Sequence, residues 1–221
     1  MSYIKFIVAT ILSGIVGMAF SISVYAAEIV GDIPESPSAE MKYIIYLHGS
    51  VEEEEGSTGK YESAVEAIAE GSAMVISEVR GDTDPNAYAE LLKQKVNKLL
   101  SSGVPANNIT ISGFSKGAII TLATARAIQN PAINYVLLAG CSEELNEKYS
   151  VATDNISGRI LAIYDSEDEG YGSCSDIIKR SENTRLEEVE LDSGKGHKLF
   201  RIPKEKFIKQ WRDPLLEWAG A

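Results

Sequence analysis

Histidine and cysteine are both scarce in this sequence, which contains two of each among its 221 residues. His48, His197, Cys141 and Cys174 show none of the close spacings that are typical of a metal site, so we predict no bound metal. The glycine-rich fingerprint of a dinucleotide-binding fold is also missing, and we expect no cofactor. Any chemistry of this chain therefore has to come from its own side chains.

Basic residues are too few to balance the acidic ones. The chain has 21 Lys and Arg residues against 32 Asp and Glu residues, and its formal net charge is −11 at pH 7. So acidic a surface repels phosphate backbones and anionic lipid headgroups, which argues against nucleic acid and membrane surfaces as partners. The charge does not indicate an oligomeric state.

Long apolar runs are confined to the N-terminus, where residues 6–24 are apolar and follow a single positive charge at Lys5. Val24-Tyr25-Ala26 has the small-residue pattern of a cleavage site. We predict that residues 1–26 are an export signal and that the mature chain is periplasmic or secreted. The alternative is an uncleaved membrane anchor over residues 6–24, since about 19 apolar residues also approach the length of a membrane span.

The rest of the chain is predicted to be one domain with a short lead-in. Residues 27–40 contain prolines and serines and are expected to form an extended linker, and residues 41–221 are long enough for a substantial core. An exported chain meets an oxidising environment, which permits a disulfide between Cys141 and Cys174. The sequence leaves open whether their Cβ atoms approach closely enough to pair.

A serine lies in a Gly-x-Ser-x-Gly motif directly after a short β-branched segment, in residues 109–118 (ITISGFSKGA). A sharp turn from strand to helix lifts such a serine hydroxyl clear of the sheet, and Gly113 and Gly117 omit the side chains that would collide there. The helix predicted to begin at Lys116 also points free N–H groups at the position of a developing oxyanion. Ser115 is therefore the candidate nucleophile.

The candidate base follows from chain order. Where a serine occupies this kind of turn, the acid and then the histidine follow it along the chain, which excludes His48 and leaves His197. His197 ends the segment Ser193-Gly-Lys-Gly-His197, after a predicted strand over residues 186–191. A glycine-flanked loop at the C-terminal end of a strand allows a histidine to fold back over the nucleophile.

Several carboxylates compete for the third role. The predicted strand over residues 158–164 is followed by Asp165, Glu167, Asp168 and Glu169. A buried carboxylate here would hold the second ring nitrogen of His197 and stabilise the imidazolium. We predict Asp168, which lies a few residues past the strand and can reach the histidine loop, with Asp165 as the alternative. The two glutamates are expected to lie in a solvated acidic loop.

An early predicted strand over residues 41–47 ends at His48-Gly49-Ser50. The Gly-Phe-Ser-Lys-Gly motif, the segment from Asp165 to Asp168 and Gly-His197 follow it in order. With these four pieces the chain resembles the α/β-hydrolase family over residues 41–221.

The resemblance implies an oxyanion hole made of backbone N–H groups. The donors would be Lys116 and either Ser50 or Val51, with the Lys116 side chain pointing away and His48 acting only in the structure. This chain differs from many relatives because Ser-Val-Glu-Glu-Glu-Glu follows its His-Gly pair. We expect the acidic run over residues 52–55 to be a solvated loop.

Predicted strands alternate with predicted helices, which is typical of an α/β protein with a mostly parallel sheet covered on both faces. The predicted strands cover residues 41–47, 73–79, 109–112, 134–139, 159–164 and 186–191. The predicted helices cover residues 61–70, 85–102, 116–128, 174–181 and 207–218. Right-handed crossovers and the resemblance together imply a six-stranded, three-layer sandwich with strand order 2-1-3-4-5-6.

These observations predict an exported serine hydrolase that cleaves an ester or thioester of a small-molecule acyl substrate through an acyl-enzyme intermediate. Relatives often insert a lid where this chain has residues 140–158, a short and mostly polar stretch that favours an open site. A peptidase or an acyltransferase could use the same three residues. The alternative from another class is a catalytically silent binding protein with the same fold.

Overall fold

A parallel β-sheet forms the centre of the molecule. The computed structural model describes residues 28–178 and 183–221, and the predicted export signal over residues 1–26 lies outside them. Seven strands lie in the order β1-β3-β2-β4-β5-β6-β7, and every neighbouring pair is parallel. The strands are Ile29–Val30 (β1), Tyr43–Leu47 (β2), Met74–Ile76 (β3), Ile109–Phe114 (β4), Asn134–Leu138 (β5), Gly158–Asp165 (β6) and Thr184–Leu191 (β7).

Helices connect the strands and cover both faces of the sheet. They are Ser50–Glu55 (α1), Gly59–Ile68 (α2), Pro85–Ser101 (α3), Lys116–Ile128 (α4), Glu143–Lys148 (α5), Ser175–Ile178 (α6) and Glu205–Ala219 (α7). Two short 3₁₀-helices, Ala106–Asn108 and Gly196–Arg201, precede β4 and α7. Within the part of the chain that the structure describes, no helix is long and apolar enough to cross a membrane.

The core has two layers of apolar side chains, one on each face of the sheet. Strands β2, β4 and β5 are buried along their whole length, which is why β2 and β5 are almost continuously apolar. On one face α3 packs through Tyr88, Leu92 and Leu99. On the other face α7 packs through Trp211 and Leu215. The result is a three-layer sandwich that holds the C-terminal ends of the strands at one edge.

The predicted fold class, a three-layer α/β-hydrolase-like sandwich, is confirmed, but the predicted number of six strands is wrong. The six predicted strands lie in the predicted order, and β1 adds a seventh at the edge by pairing with Val75 and Ile76. Two residues are too few to show the period of a strand. The helix prediction also misses α1 and α5, because neither six-residue segment has the apolar spacing of a helix.

A disulfide joins Cys141 to Cys174, so the pairing that the sequence left open is present. Cys141 follows β5 and Cys174 precedes α6, and both side chains are buried. The bridge ties the segment between β6 and α6 to the end of β5. Because that segment contains Asp168 and directly follows Asp165, the last residue of β6, the bridge restrains the loop beside both candidate acids.

Removing the bridge should destabilise the fold. The Cys141→Ser/Cys174→Ser variant is expected to lose about 3–4 kcal/mol of unfolding free energy, because a closed loop with a sequence separation of 33 residues no longer restricts the unfolded chain. Urea unfolding followed by circular dichroism measures the loss. A reductant should lower the midpoint of the parent and leave that of the double variant unchanged. Equal midpoints for parent and variant would contradict the prediction.

Candidate active site

The turn between β4 and α4 holds Ser115 in a rare backbone conformation, with φ 55° and ψ −121°. Glycines on both sides make the turn possible. A Cβ on Gly113 would collide with the backbone of Gly117, and a Cβ on Gly117 would collide with carbonyl oxygens at the end of β2. The turn therefore raises Ser115 at the C-terminal edge of the sheet, where α4 begins.

His197 lies in hydrogen-bond contact with both Ser115 and Asp168. His197 Nε2 is 3.0 Å from Ser115 Oγ, and His197 Nδ1 is 3.0 Å from Asp168 Oδ2. With a neutral imidazole, Nδ1–H donates to the carboxylate and Nε2 accepts from the serine hydroxyl. The structure thus brings the three predicted residues together. The side chain of His197 is 32% exposed and that of Asp168 is 3% exposed, so the carboxylate is screened from water while the imidazole is accessible.

Asp165, the alternative acid, has other partners. One of its oxygens accepts from the N–H groups of Glu167 and Gly196 at 3.2 and 3.0 Å. The other accepts from the N–H of Ser193 at 2.9 Å and from the Ser193 hydroxyl. Burial raises the pKa of Asp165, but the hydrogen bonds outweigh it and leave that pKa below its ordinary value. Asp165 is therefore an ionised carboxylate whose hydrogen bonds hold the loop before His197 in place.

Two aromatic rings lie against the imidazole of His197. The centroid of Phe114 lies 4.9 Å from it and that of Tyr171 lies 4.2 Å from it. Burial and then the charge of Asp168 raise the pKa of Tyr171, although a hydrogen bond with Ser115 opposes them, so a neutral phenol lies beside the serine. Sequence reasoning missed both rings. Phe114 stands inside the serine motif and is detectable there, but Tyr171 lies in an acidic loop without a motif.

His48 is buried at the end of β2. Its Nδ1 is 2.7 Å from the carbonyl oxygen of Gly49, and its Nε2 accepts from the backbone N–H of Arg80 at 2.9 Å. Since Nε2 is an acceptor, the proton is on Nδ1. Burial, followed by the charge of Arg80, lowers the pKa of His48 from 6.5 to about 4, so the ring is neutral at pH 7. These contacts fit the structural role predicted for His48.

Two helix N-termini adjoin the serine. Helix α4 begins at Lys116, and α1 begins at Ser50, just after Gly49. A Cβ on Gly49 would lie 3.5 Å from the Cβ of Ser115, so the start of α1 is close to the serine. Within residues 28–178 and 183–221, the N–H groups of Ser50, Val51 and Lys116 donate to no protein acceptor. These groups are therefore available to an anionic oxygen.

The acidic run after β2 is helix α1, and the predicted solvated loop is wrong for two of its four glutamates. Glu52 is paired with Arg201 at 2.9 Å, and Glu53 is paired with Lys116 at 2.6 Å and with Arg80 at 2.9 Å. Their partners are distant in the chain, so no local pattern reveals the pairing. The other two glutamates are exposed. Among the described residues, no group of three or more His, Cys, Asp and Glu side chains is arranged to hold a metal ion.

A parallel sheet with a serine at a strand-to-helix turn, an acid after β6 and a histidine after β7 defines an α/β hydrolase. The family model of the phospholipases and carboxylesterases matches residues 77–205, more than half of the chain, and the chain belongs to this family. The protein is accordingly a serine hydrolase of the esterase type. No curated protein matches the sequence.

Solved structures share the fold at low sequence identity. A lipase-esterase related protein from Clostridium acetobutylicum is 16% identical, with a TM-score of 0.55, and the match covers 82% of this chain and 96% of that one. A putative α/β hydrolase from Agrobacterium tumefaciens is 16% identical, with a TM-score of 0.57 and coverage of 84% and 89%. Est1E from Butyrivibrio proteoclasticus, solved with ferulic acid, is 13% identical, with a TM-score of 0.52 and coverage of 86% and 94%. At such identities the similarity establishes the fold.

The buried His48 should make stability depend on pH. Between pH 6.5 and about 4 the unfolded chain protonates this histidine and the folded chain does not, so the unfolding free energy falls as the pH is lowered through that window and levels off below it. The difference between the two pKa values corresponds to a total loss of about 3 kcal/mol of unfolding free energy across this window. The His48→Gln variant should lose this part of the slope in urea unfolding series at pH 7, 6, 5 and 4. Parallel curves for parent and variant would show that His48 titrates normally.

Proposed function

We propose that this chain is an exported carboxylesterase or thioesterase in which Ser115, His197 and Asp168 form a catalytic triad. The observation that carries the proposal is the continuous path of contacts from Asp168 through His197 to Ser115, with both distances at 3.0 Å. Two features keep the imidazole in that path. Asp165 holds the preceding loop through hydrogen bonds, and the rings of Phe114 and Tyr171 pack against the imidazole.

The reaction follows from the positions of the protons. His197 Nε2 takes the hydroxyl proton as Ser115 Oγ attacks the carbonyl carbon, and Asp168 stabilises the imidazolium. Collapse of the tetrahedral intermediate breaks the bond to the leaving group, which receives the proton from His197. Water then attacks the acyl-serine with His197 as base. The second collapse releases the acid and returns the proton to Ser115.

The oxyanion of each tetrahedral intermediate is assigned to backbone donors. Lys116 supplies one N–H from the start of α4, and Ser50 supplies the second from the start of α1, with Val51 as the alternative second donor. Their freedom from protein acceptors supports this assignment, because they need no rearrangement to bind charge as it develops. The N-terminus of the 13-residue helix α4 adds the favourable end of its dipole.

The proposed substrates are small or solvent-exposed acyl esters and thioesters. The exposure of His197 and the absence of a larger insertion than the six-residue helix α5 between β5 and β6 support an open site. A peptidase or an acyltransferase would use the same residues with a different leaving group or acceptor. Export is supported by the composition of residues 1–26 and by the disulfide, which is typical of oxidising compartments.

A fluorophosphonate probe tests whether Ser115 is activated. The purified chain should be labelled at Ser115, as located by mass spectrometry, and should hydrolyse p-nitrophenyl acetate. Ser115→Ala should abolish labelling, and His197→Ala should reduce labelling and turnover by at least about 10³-fold, because the base is lost. Circular dichroism checks that both variants are folded. A folded parent without labelling or turnover would favour the binding protein of the same fold.

Substitution should distinguish a catalytic role of Asp168 from a loop-stabilising role of Asp165. Asp168→Asn is expected to lower kcat by about 10³- to 10⁴-fold with little loss of stability, because the amide favours the wrong imidazole tautomer. Asp165→Asn should mainly lower the melting temperature, because three hydrogen bonds to the histidine loop and one to the N–H of Glu167 are weakened. Glu169→Gln, in the same acidic loop, is the control. A larger kcat loss in Asp165→Asn than in Asp168→Asn would reverse the assignment.

A further inference from the structure

Helix α1 depends on tertiary contacts for its stability and its position. It has six residues, and Gly49 at its N-terminus supplies no capping side chain. A helix this short gains too little from its own hydrogen bonds to be stable alone, so its place depends on tertiary contacts. Because α1 begins with Ser50 and Val51, the same contacts decide where the proposed second oxyanion donor lies.

The strongest of these contacts is a buried ion pair with the residue that follows the nucleophile. Glu53 Oε2 lies 2.6 Å from Lys116 Nζ, and the two side chains are 3% and 4% exposed. Burial lowers the pKa of Lys116, but its hydrogen bonds to Glu53 and Asp82 outweigh burial and raise that pKa, so the ammonium stays charged. The pair therefore connects α1 directly to the first residue of α4.

Arg80 extends the connection to the turn before α1. Its Nε is 2.9 Å from the second oxygen of Glu53, and its Nη2 donates to the carbonyl oxygen of His48 at 2.6 Å. Its backbone N–H donates to the ring of the same histidine. The one carboxylate of Glu53 thus joins the turn at the end of β2 to the start of α4. The neighbouring Glu52 in α1 is paired with Arg201 of the 3₁₀-helix that contains His197.

We propose that Glu53 is a positioning residue that sets the distance between the two oxyanion donors by binding Lys116 and Arg80 at once. The inference rests on the proposed function, because it assigns a role only if an oxyanion forms at Ser115. In this chain a buried carboxylate with two cationic partners follows the His-Gly pair. Buried ion pairs contribute little net stability but are intolerant of a missing partner, which suits a contact that defines geometry.

The main experiment measures turnover and binding of an oxyanion mimic in Glu53→Gln. With p-nitrophenyl acetate, kcat should fall roughly 10- to 100-fold, because a misplaced donor weakens stabilisation of the transition state. KM should stay within about 3-fold, since the donors matter little to the bound ester. The inhibition constant of a trifluoromethyl ketone, which forms a tetrahedral oxyanion on serine, should rise by the same factor as kcat falls.

Two neighbouring carboxylates provide matched controls. Glu54→Gln changes an exposed side chain of the same helix, and we expect kcat and the inhibition constant to stay unchanged. Asp82→Asn removes the other partner of Lys116, but this carboxylate is 94% exposed and belongs to no part of α1. It should change kcat by less than about 3-fold, because a screened surface contact does not position the helix.

Lys116→Met tests the same contact from the other side and leaves Glu53 paired with Arg80. It should lower kcat as Glu53→Gln does. The fold-decrease in kcat of the variant with both substitutions should be smaller than the product of the two single fold-decreases. If Glu53→Gln does not fold, as judged by circular dichroism, Lys116→Met alone decides the matter. An unchanged kcat in the folded variants, or a change confined to KM, overturns the positioning role. A parent without turnover or probe labelling refutes the proposed function itself, and the inference fails with it.

Discussion

The backbone turn at Ser115 is the constraint on which the rest of the site depends. A positive φ at a residue with a side chain costs on the order of 1–3 kcal/mol and persists only where the surroundings over-determine it. Here the neighbouring strands supply that restraint, because Gly113 pairs with both β2 and β5 in the middle of the sheet. The first turn of α4 packs directly against the end of β2 at Gly117, and this close contact restricts the direction of the helix.

Buried carboxylates hold the loops around that turn. Asp165 secures the loop before His197 through three hydrogen bonds, and Gly196 in that loop has a positive φ and lies too close to the backbone of Glu167 to bear a side chain. Glu52 and Glu53 secure α1 in the same manner, with arginine and lysine as partners. These buried carboxylates fix the positions of the loops, because moving a loop would leave a buried charge unpaired, which is strongly destabilising.

Local patterns made most of the fold predictable. Six strands and the long helices have apolar periods or runs that reveal them, and the order of the strands was predicted from the handedness of crossovers together with the family resemblance. The serine and histidine were predictable because one motif and one eligible histidine left few choices. Strand β1 and helix α1 were not, because two paired residues and four consecutive glutamates carry no period. Tyr171 and the burial of Glu53 depend on chain segments that meet only in the folded protein.

Residue patterns were enough to predict the parallel sheet, the turn that presents Ser115, and His197 as the one histidine that follows Ser115, because periodicity, glycine spacing and chain order can be read directly from the chain. The choice between Asp165 and Asp168 as the partner of His197 depended on the folded chain. Asp165 ends β6 and Asp168 follows three residues later, and their side chains point in different directions. Asp165 faces the N–H groups of the histidine loop, while Asp168 faces the imidazole. Such directions are set by how the loops pack, and residue type and spacing do not encode them.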